Sequence, residues 1–429
     1  MARRWFVSLA FLAAVTALGD TPSTGTVIPE MVAYDQLAST LLTKYQVAGG
    51  ALAVARNGKL LFARGYGYAN KATGDLVQPD SRFRLASLAK PMTSAAILLL
   101  VQQGKLSLDQ RAFDILSSYE PLPGETADPR LATITIRNLL EHSGGWNRDT
   151  TFDPMFLPVL IAAATGTPAP ATPDSIIRFM MGKPLQFNPG TAYNYSNFGY
   201  VLLGRIIETI SGQPYEQFIR EQVLAPSGSA CMEIGHSLQT QSLPGEVKYY
   251  DFPGAPLVPS IDGTGTKVPR PDGGFYLEAM AAHGGWVAST IDYLRFVLSV
   301  DAKNDPPDIL TEATVDLMLA RPTIPYWSTA PAWYAKGWQV RPTLGDANWW
   351  HTGGLPGTTT LVVRNYNGVS WAAFFNSQPA NVDAFVTDLD SGMWTALASV
   401  KSWPSDDQFA SFPPCATSTP SLRRRAIRH

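Results

Sequence analysis

The stretch FRLASLAKPMTSAAILLLVQQGKLSLD, from Phe83 to Asp109, decides how the rest of the chain is read. Small and polar residues lead into an apolar run of helical length that stops at Gly104. Ser87 opens the predicted helix, and Lys90 lies one turn on, along the same face. Unpaired backbone amides and the positive end of the helix dipole meet at such a start and favour developing negative charge. Pro91 fits a first turn far better than a helix interior. A serine hydroxyl beside an amine that takes its proton is an activated nucleophile. A serine at a helix start is also a common cap, so S-x-x-K alone does not establish an enzyme.

Around this stretch the chain divides into strands at both ends and helices between. Met31 to Tyr45 reads as a helix, followed by two strands in ALAVARNGKLLFARGYGY that turn at Asn57–Gly58. Thr133 to Ser143 is a short helix leading into a Gly-Gly loop, Phe198 to Ser211 an amphipathic helix, and Tyr215 to Leu224 another. Ser289 and Asp292 make a capping box for IDYLRFVLSV. TTTLVVRNY and VSWAAFFNS form a second hairpin at Asn367–Gly368, expected to be of the same kind as the first, before a last helix over Val382 to Val400. Residues 225 to 280 are rich in Gly and Pro and read as long connections.

The predicted fold class is α+β. One central antiparallel sheet is built from both chain ends and flanked by helices, and a mostly helical lobe is inserted into it. The sheet lobe is expected over about 30–90 and 283–400, and the helical lobe over about 91–282. A cleft between the two is the natural site.

The 429 residues are 45% hydrophobic and 16% charged, with a net charge of −2, which gives no reason to expect nucleic acid or an anionic membrane as partner. Residues 1–19 have the layout of a secretory signal peptide. Arg3 and Arg4 precede the apolar run Trp5 to Ala17, which is too short to span a bilayer, and small residues follow at Ala17 and Gly19. RRWFV also resembles a twin-arginine export signal. The expectation is a secreted or periplasmic protein starting near Asp20, with no stable membrane span. The tail 401–429 is Ser/Pro-rich, ends SLRRRAIRH and is expected to be disordered. Cys231 and Cys415 either form a disulfide or stay as separate thiols; composition favours neither. Five scattered histidines show no metal-ligand spacing, so neither metal nor cofactor is expected.

Further along stand NPGTAYNYSNFGYVLLG, with Tyr195 and Asn197, and WWHTGGLPG, with His351, Thr352 and Gly353. The order S-x-x-K, Y-x-N, [KH]-T-G resembles the serine hydrolases that comprise penicillin-binding proteins, class C β-lactamases, family VIII carboxylesterases and D-amino-acid peptidases. RNLLEHSGG and GGWVASTIDYLRF support the resemblance, which covers roughly residues 30 to 400.

It implies a β-lactamase/transpeptidase-like fold and an acyl-enzyme on Ser87. Lys90, with a pKa lowered by burial, is one candidate to take the serine proton. Tyr195 is the other, if the Lys90 charge favours its phenolate; it would then pass the proton to the leaving group and later activate water. Asn197 is expected to contact substrate and Lys90. The amides of Ser87 and Gly354 form the oxyanion hole by resemblance, with His351, Thr352 and Gly353 beside them on an edge strand. His142 is set aside as structural. Asn194 begins a glycosylation sequon expected to go unused, because a glycan there would meet Tyr195. The G-x-S-x-G signature of α/β-hydrolases is absent.

One departure matters. His351 stands where the β-lactamases of this group carry lysine. A histidine of pKa near ~6.5 is mostly neutral where lysine is cationic. The expected consequences are weaker recognition of carboxylates, a less depressed Tyr195 pKa, a preference for neutral esters or amides, and an alkaline optimum. Trp327, Trp333, Trp338, Trp349, Trp350 and Trp371 read mostly as packing, with one or two as candidate walls of an acyl pocket. The substrate expected is a small ester, amide or peptide. Esterase leads, D-amino-acid peptidase or weak β-lactamase are variants, and a non-turnover penicillin-binding-type receptor is the alternative of another class.

Overall fold

The computed structural model describes residues 21–303 and 305–415. The proposed signal peptide and the final fourteen residues lie outside them. Six strands carry the architecture: β1 (Gly49–Arg56), β2 (Lys59–Asn70), β3 (Gln339–Pro342), β4 (Ala347–Leu355), β5 (Thr358–Arg364) and β6 (Val369–Phe375). They lie in the order β2-β1-β6-β5-β4-β3, every pair antiparallel, so both chain ends build one sheet. The two halves join where β1 pairs with β6, from Gly50 opposite Phe375 to Arg56 opposite Val369. Short strands extend the edges at Ser23–Thr24 and Trp333–Tyr334.

Alternation in β1 assigns its two faces. Leu52 and Val54 point into a core with Tyr34, Phe62, Trp371 and Phe385, beneath the helices α1 (Val32–Tyr45) and α5 (Val382–Ser399). Ala51, Ala53 and Ala55 point the other way, into the larger core shared with the inserted lobe. Alanines on that face let α4 (Thr290–Leu298) lie close against β1 and β6. Ser289 caps α4 by accepting from the Asp292 amide.

Both turns are as placed, but they differ in kind. Asn57 and Gly58 both have positive φ, as a two-residue primed turn needs. The second turn spans Asn365 to Gly368, closed by the Gly368 amide on the Asn365 carbonyl, and only Gly368 has positive φ. The expectation of two hairpins of one kind is corrected.

The tail is also corrected as far as it is described. Trp403 packs on the outer core and lies under Arg56, the Asp407 carboxylate accepts from the Leu60 amide, and Gln408 donates to the Leu61 carbonyl. Cys231 and Cys415 form a disulfide that ties residues 401–415 to the body. These side chains find partners on the sheet edge that a Ser/Pro-rich composition does not reveal. No helix among the described residues is long and apolar enough to cross a membrane.

Candidate active site

Ser87 does not lie in the long helix. It sits in a single 3₁₀ turn, Ala86–Leu88, and α2 (Ala89–Gln102) starts just after it. Ala86 has φ +50°, unusual for a residue with a side chain, and it holds Ser87 at a sharp bend between strand and helix. Gly353 of β4 faces this bend. A Cβ there would come 2.5 Å from the Leu85 carbonyl oxygen and 2.2 Å from Thr360 Oγ1. Glycine is therefore required for β4 to approach the Ser87 turn. Of the residues expected at the site, Gly353 is this spacer and does not line the cavity.

β4 is not an edge strand along its whole length. β3 covers it from Ala347 to Trp350, and the ladder stops there, so His351 to Leu355 pairs only with β5. That uncovered half carries His351, Thr352 and Gly354 to a cavity of about 420 Å³, whose other walls include Ser87, Tyr195 and Asn197.

Lys90 is fully buried beneath the cavity. Its Nζ is 3.1 Å from Ser87 Oγ, 2.8 Å from Asn197 Oδ1 and 3.1 Å from the His283 carbonyl oxygen. The last two oxygens only accept, so they use two of the amine's hydrogens. The third direction points at Ser87, whose hydroxyl can donate to a neutral amine. Burial, and then the Arg148 charge, push the Lys90 pKa well below the ordinary lysine range.

Tyr195 lines the cavity with Ser87, and burial pushes its pKa well above the ordinary phenol value, an effect that Ser87 only partly offsets. Lys90 is the group inclined to be neutral, and Tyr195 the group inclined to keep its proton. The Lys90 nitrogen lies 4.6 Å from the centre of the Tyr195 ring, but phenolate is not the form this environment favours.

Sequence reasoning missed a chain of supporting groups. Asn197 Nδ2 donates to Asp153 Oδ2 at 2.6 Å, and the same oxygen lies 3.3 Å from Arg148 Nη1. An acceptor on one side and a donor on the other fix the Asn197 amide with its oxygen toward Lys90. The Arg148 guanidinium covers the Tyr195 ring at 4.8 Å. Arg148 and Asp153 lie in the loop after the Gly-Gly pair, a stretch with no periodic signal.

His351 Nδ1 is 2.7 Å from the Thr352 carbonyl oxygen, and Nε2 is 3.0 Å from Tyr334 Oη. A carbonyl only accepts, so Nδ1 carries the proton and Nε2 receives the Tyr334 hydroxyl. Burial and the nearby Lys90 push the His351 pKa down to about 3, so the ring is neutral with more margin than the sequence implied. His142 packs 4.2 Å from the Tyr195 ring centre and accepts from the Ser196 amide through Nδ1, as a positioning group would. Asn194 gives its side-chain amide to Asp149. Among the described residues no group of three or more His, Cys, Asp or Glu is arranged to hold a metal ion. None of the six tryptophans lines the cavity. Trp338, Trp349 and Trp371 are buried core, and Trp327 packs on Tyr193 behind the cavity wall.

Residues 34–390 match the Beta-lactamase family model. The chain belongs to the Beta-lactamase family. A curated relative in it is penicillin-binding protein 4 of Amycolatopsis lactamdurans, 28% identical over 84% of this chain and 88% of its own length. The chain spans half or less of several other curated relatives that it matches. Two solved structures share the fold. EstCE1, described as a hydrolase with promiscuous acyltransferase activity, has a TM-score of 0.67 at 19% identity over 85% of this chain and 98% of its own. D-amino acid amidase from Ochrobactrum anthropi SV3 has 0.65 at 22% identity, over 87% and 98%. The β-lactamase/transpeptidase-like architecture expected from the sequence is the one found.

Proposed function

We propose that this member of the Beta-lactamase family is a serine hydrolase that works through an acyl-enzyme on Ser87. The observation that carries the reading is the Lys90 amine, fully buried and 3.1 Å from Ser87 Oγ. A buried lysine without a carboxylate bonded to it is unfavourable as an ion, and a neutral one is a base in the right place.

In this mechanism Ser87 Oγ attacks the substrate carbonyl carbon while Lys90 takes its proton. Charge on the carbonyl oxygen falls to the amides of Ser87 and Gly354. Collapse breaks the bond to the leaving group, which takes a proton from Tyr195, and Lys90 returns a proton to Tyr195. Water then enters by the reverse path, losing its proton to the same pair as it attacks the ester carbon. Ser87 departs as the alcohol and the carboxylic acid is released.

The substrate class is a neutral ester or amide. The neutral, hydrogen-bonded His351 supports this, since it offers no cation for a substrate carboxylate. Export of the protein is part of the proposal. The basic and apolar residues 1–19 and the Cys231–Cys415 disulfide support an oxidising compartment.

The test is a panel of p-nitrophenyl esters, D-amino acid amides and penicillin on the mature protein and on Ser87→Ala. Ester or amide turnover that disappears in the variant supports the reading. A stable penicillin adduct without turnover would instead make the chain a receptor.

A further inference from the structure

A second compartment opens off the catalytic cavity. It has a volume of about 760 Å³ and shares Phe156, Gly354 and Leu355 with the site itself. Its walls come from the helix Pro158–Thr165 and from the small hairpin Val258–Pro259/Lys267–Val268. Leu157, Leu160, Val258, Ile261 and Phe275 face into it. Arg270 is the one charged lining residue, and Asp251 engages its guanidinium through both carboxylate oxygens. Gln378 is the other polar side chain in the wall, and the remaining side chains are apolar.

The helix explains why the groove is not closed by the protein. Its sequence PVLIAAAT is apolar on every side, but only Pro158, Ile161 and Ala162 are buried. Leu160 is left 54% exposed and the neighbouring Phe156 41%. Large apolar side chains clustered around a groove that runs into a catalytic cavity mark a binding surface for apolar matter.

Orientation follows from the chemistry. The leaving group must reach the proton of Tyr195, and Tyr195, Tyr193 and Arg148 line the cavity but not the groove. The groove opens instead at Gly354 and Leu355, where β4 carries the proposed oxyanion amide onward. We propose that this groove binds the acyl part of the substrate, and that the natural substrate is an ester or amide of a medium-length or branched apolar carboxylic acid. The inference rests on the serine-hydrolase reading above, and it names that reading's substrate.

The experiment compares p-nitrophenyl esters from acetate to octanoate with acetate esters of alcohols of rising length. It uses the wild type and the groove-wall variants Leu160→Asp and Val258→Asp, with circular dichroism as the check on folding. The octanoate is expected to show a kcat/KM at least about tenfold above the acetate, since each buried methylene alone is worth roughly fourfold. The alcohol series is expected to stay within about threefold, and either groove variant to reduce the octanoate-to-acetate ratio about tenfold. A flat acyl series, a gain on the alcohol side, or an unchanged ratio in both folded variants overturns the proposal. Calorimetric titration of octanamide and acetamide into Ser87→Ala reads the groove without turnover. Octanamide binding that Leu160→Asp weakens supports the groove even if no ester is cleaved, which would sink only the hydrolase reading. Absence of octanamide binding sinks the groove.

Discussion

The Lys90 amine stands 3.1 Å from Ser87 Oγ with no exposure to solvent, and its other two bonds go to oxygens that cannot donate. In the proposed mechanism Lys90 is the base, and its protonation would strip the serine of its acceptor. Lys90→Met is expected to lower kcat on p-nitrophenyl acetate by about 10³-fold with the fold retained, in the range for loss of a general base. Lys90→Arg is expected to fail equally, because guanidinium does not deprotonate. Steady-state kinetics with circular dichroism check both.

The pH profile follows from the same burial. A base is active when neutral, so kcat/KM falls as pH drops through the Lys90 pKa, which burial and Arg148 place well below the lysine range. Activity is expected to develop well below the pH at which an ordinary lysine loses its proton. Arg148→Ala removes a nearby positive charge and is expected to move the acid limb upward. A limb near the unperturbed lysine value of ~10.5 in the wild type would contradict this.

Tyr195 is the acid of the proposed mechanism, since burial raises its pKa. Tyr195→Phe is expected to cost alkyl esters about 10²-fold or more and p-nitrophenyl esters far less. An alkoxide needs a proton to leave, whereas p-nitrophenolate does not. Equal losses on the two ester classes would remove this role from Tyr195.

Asp153 holds the Asn197 amide, and Asn197 holds Lys90. Asp153→Ala is expected to lower kcat about tenfold or more with little change in KM, since it loosens the base rather than the substrate. A change in KM alone would assign Asp153 to substrate binding.

His142, His283 and His351 are all buried, and burial is the first cause of each depressed pKa. Such a histidine stays neutral in the folded chain and gains a proton in the unfolded one. Stability is therefore full above about pH 6.5 and declines below it, by up to about 1.4 kcal/mol per pH unit for each histidine. For His351 the decline continues toward its folded value of about 3. Urea unfolding at pH 7 and at lower pH measures the slope, and His351→Gln is expected to flatten it by about one histidine's share.

Much of this was written plainly in the sequence. Asn57–Gly58, the alternation of ALAVA and the cap at Ser289 are local signals, and the structure obeys them because propensity and burial agree there. The three motifs likewise located Ser87, Lys90, Tyr195, Asn197 and His351 on elements that converge. Arg148 and Asp153 stayed hidden because a loop residue acquires its role from the neighbour it meets, 44 residues away for Asp153 and Asn197. Gly353 was misplaced for a related reason. Its job is set by how closely β4 passes the bend at Ala86, which no single strand announces. The tail to Cys415 read as disordered because its partners, Leu60, Leu61 and Cys231, belong to distant elements.

The central claim is that Ser87 carries the acyl group. It is tested most directly by rapid quenching of the purified protein with p-nitrophenyl acetate, followed by intact-mass and peptide mapping. The account predicts one added acetyl group on the peptide containing Ser87, and neither adduct nor turnover in Ser87→Ala. Acetylation at another residue, or undiminished turnover by Ser87→Ala, would contradict it.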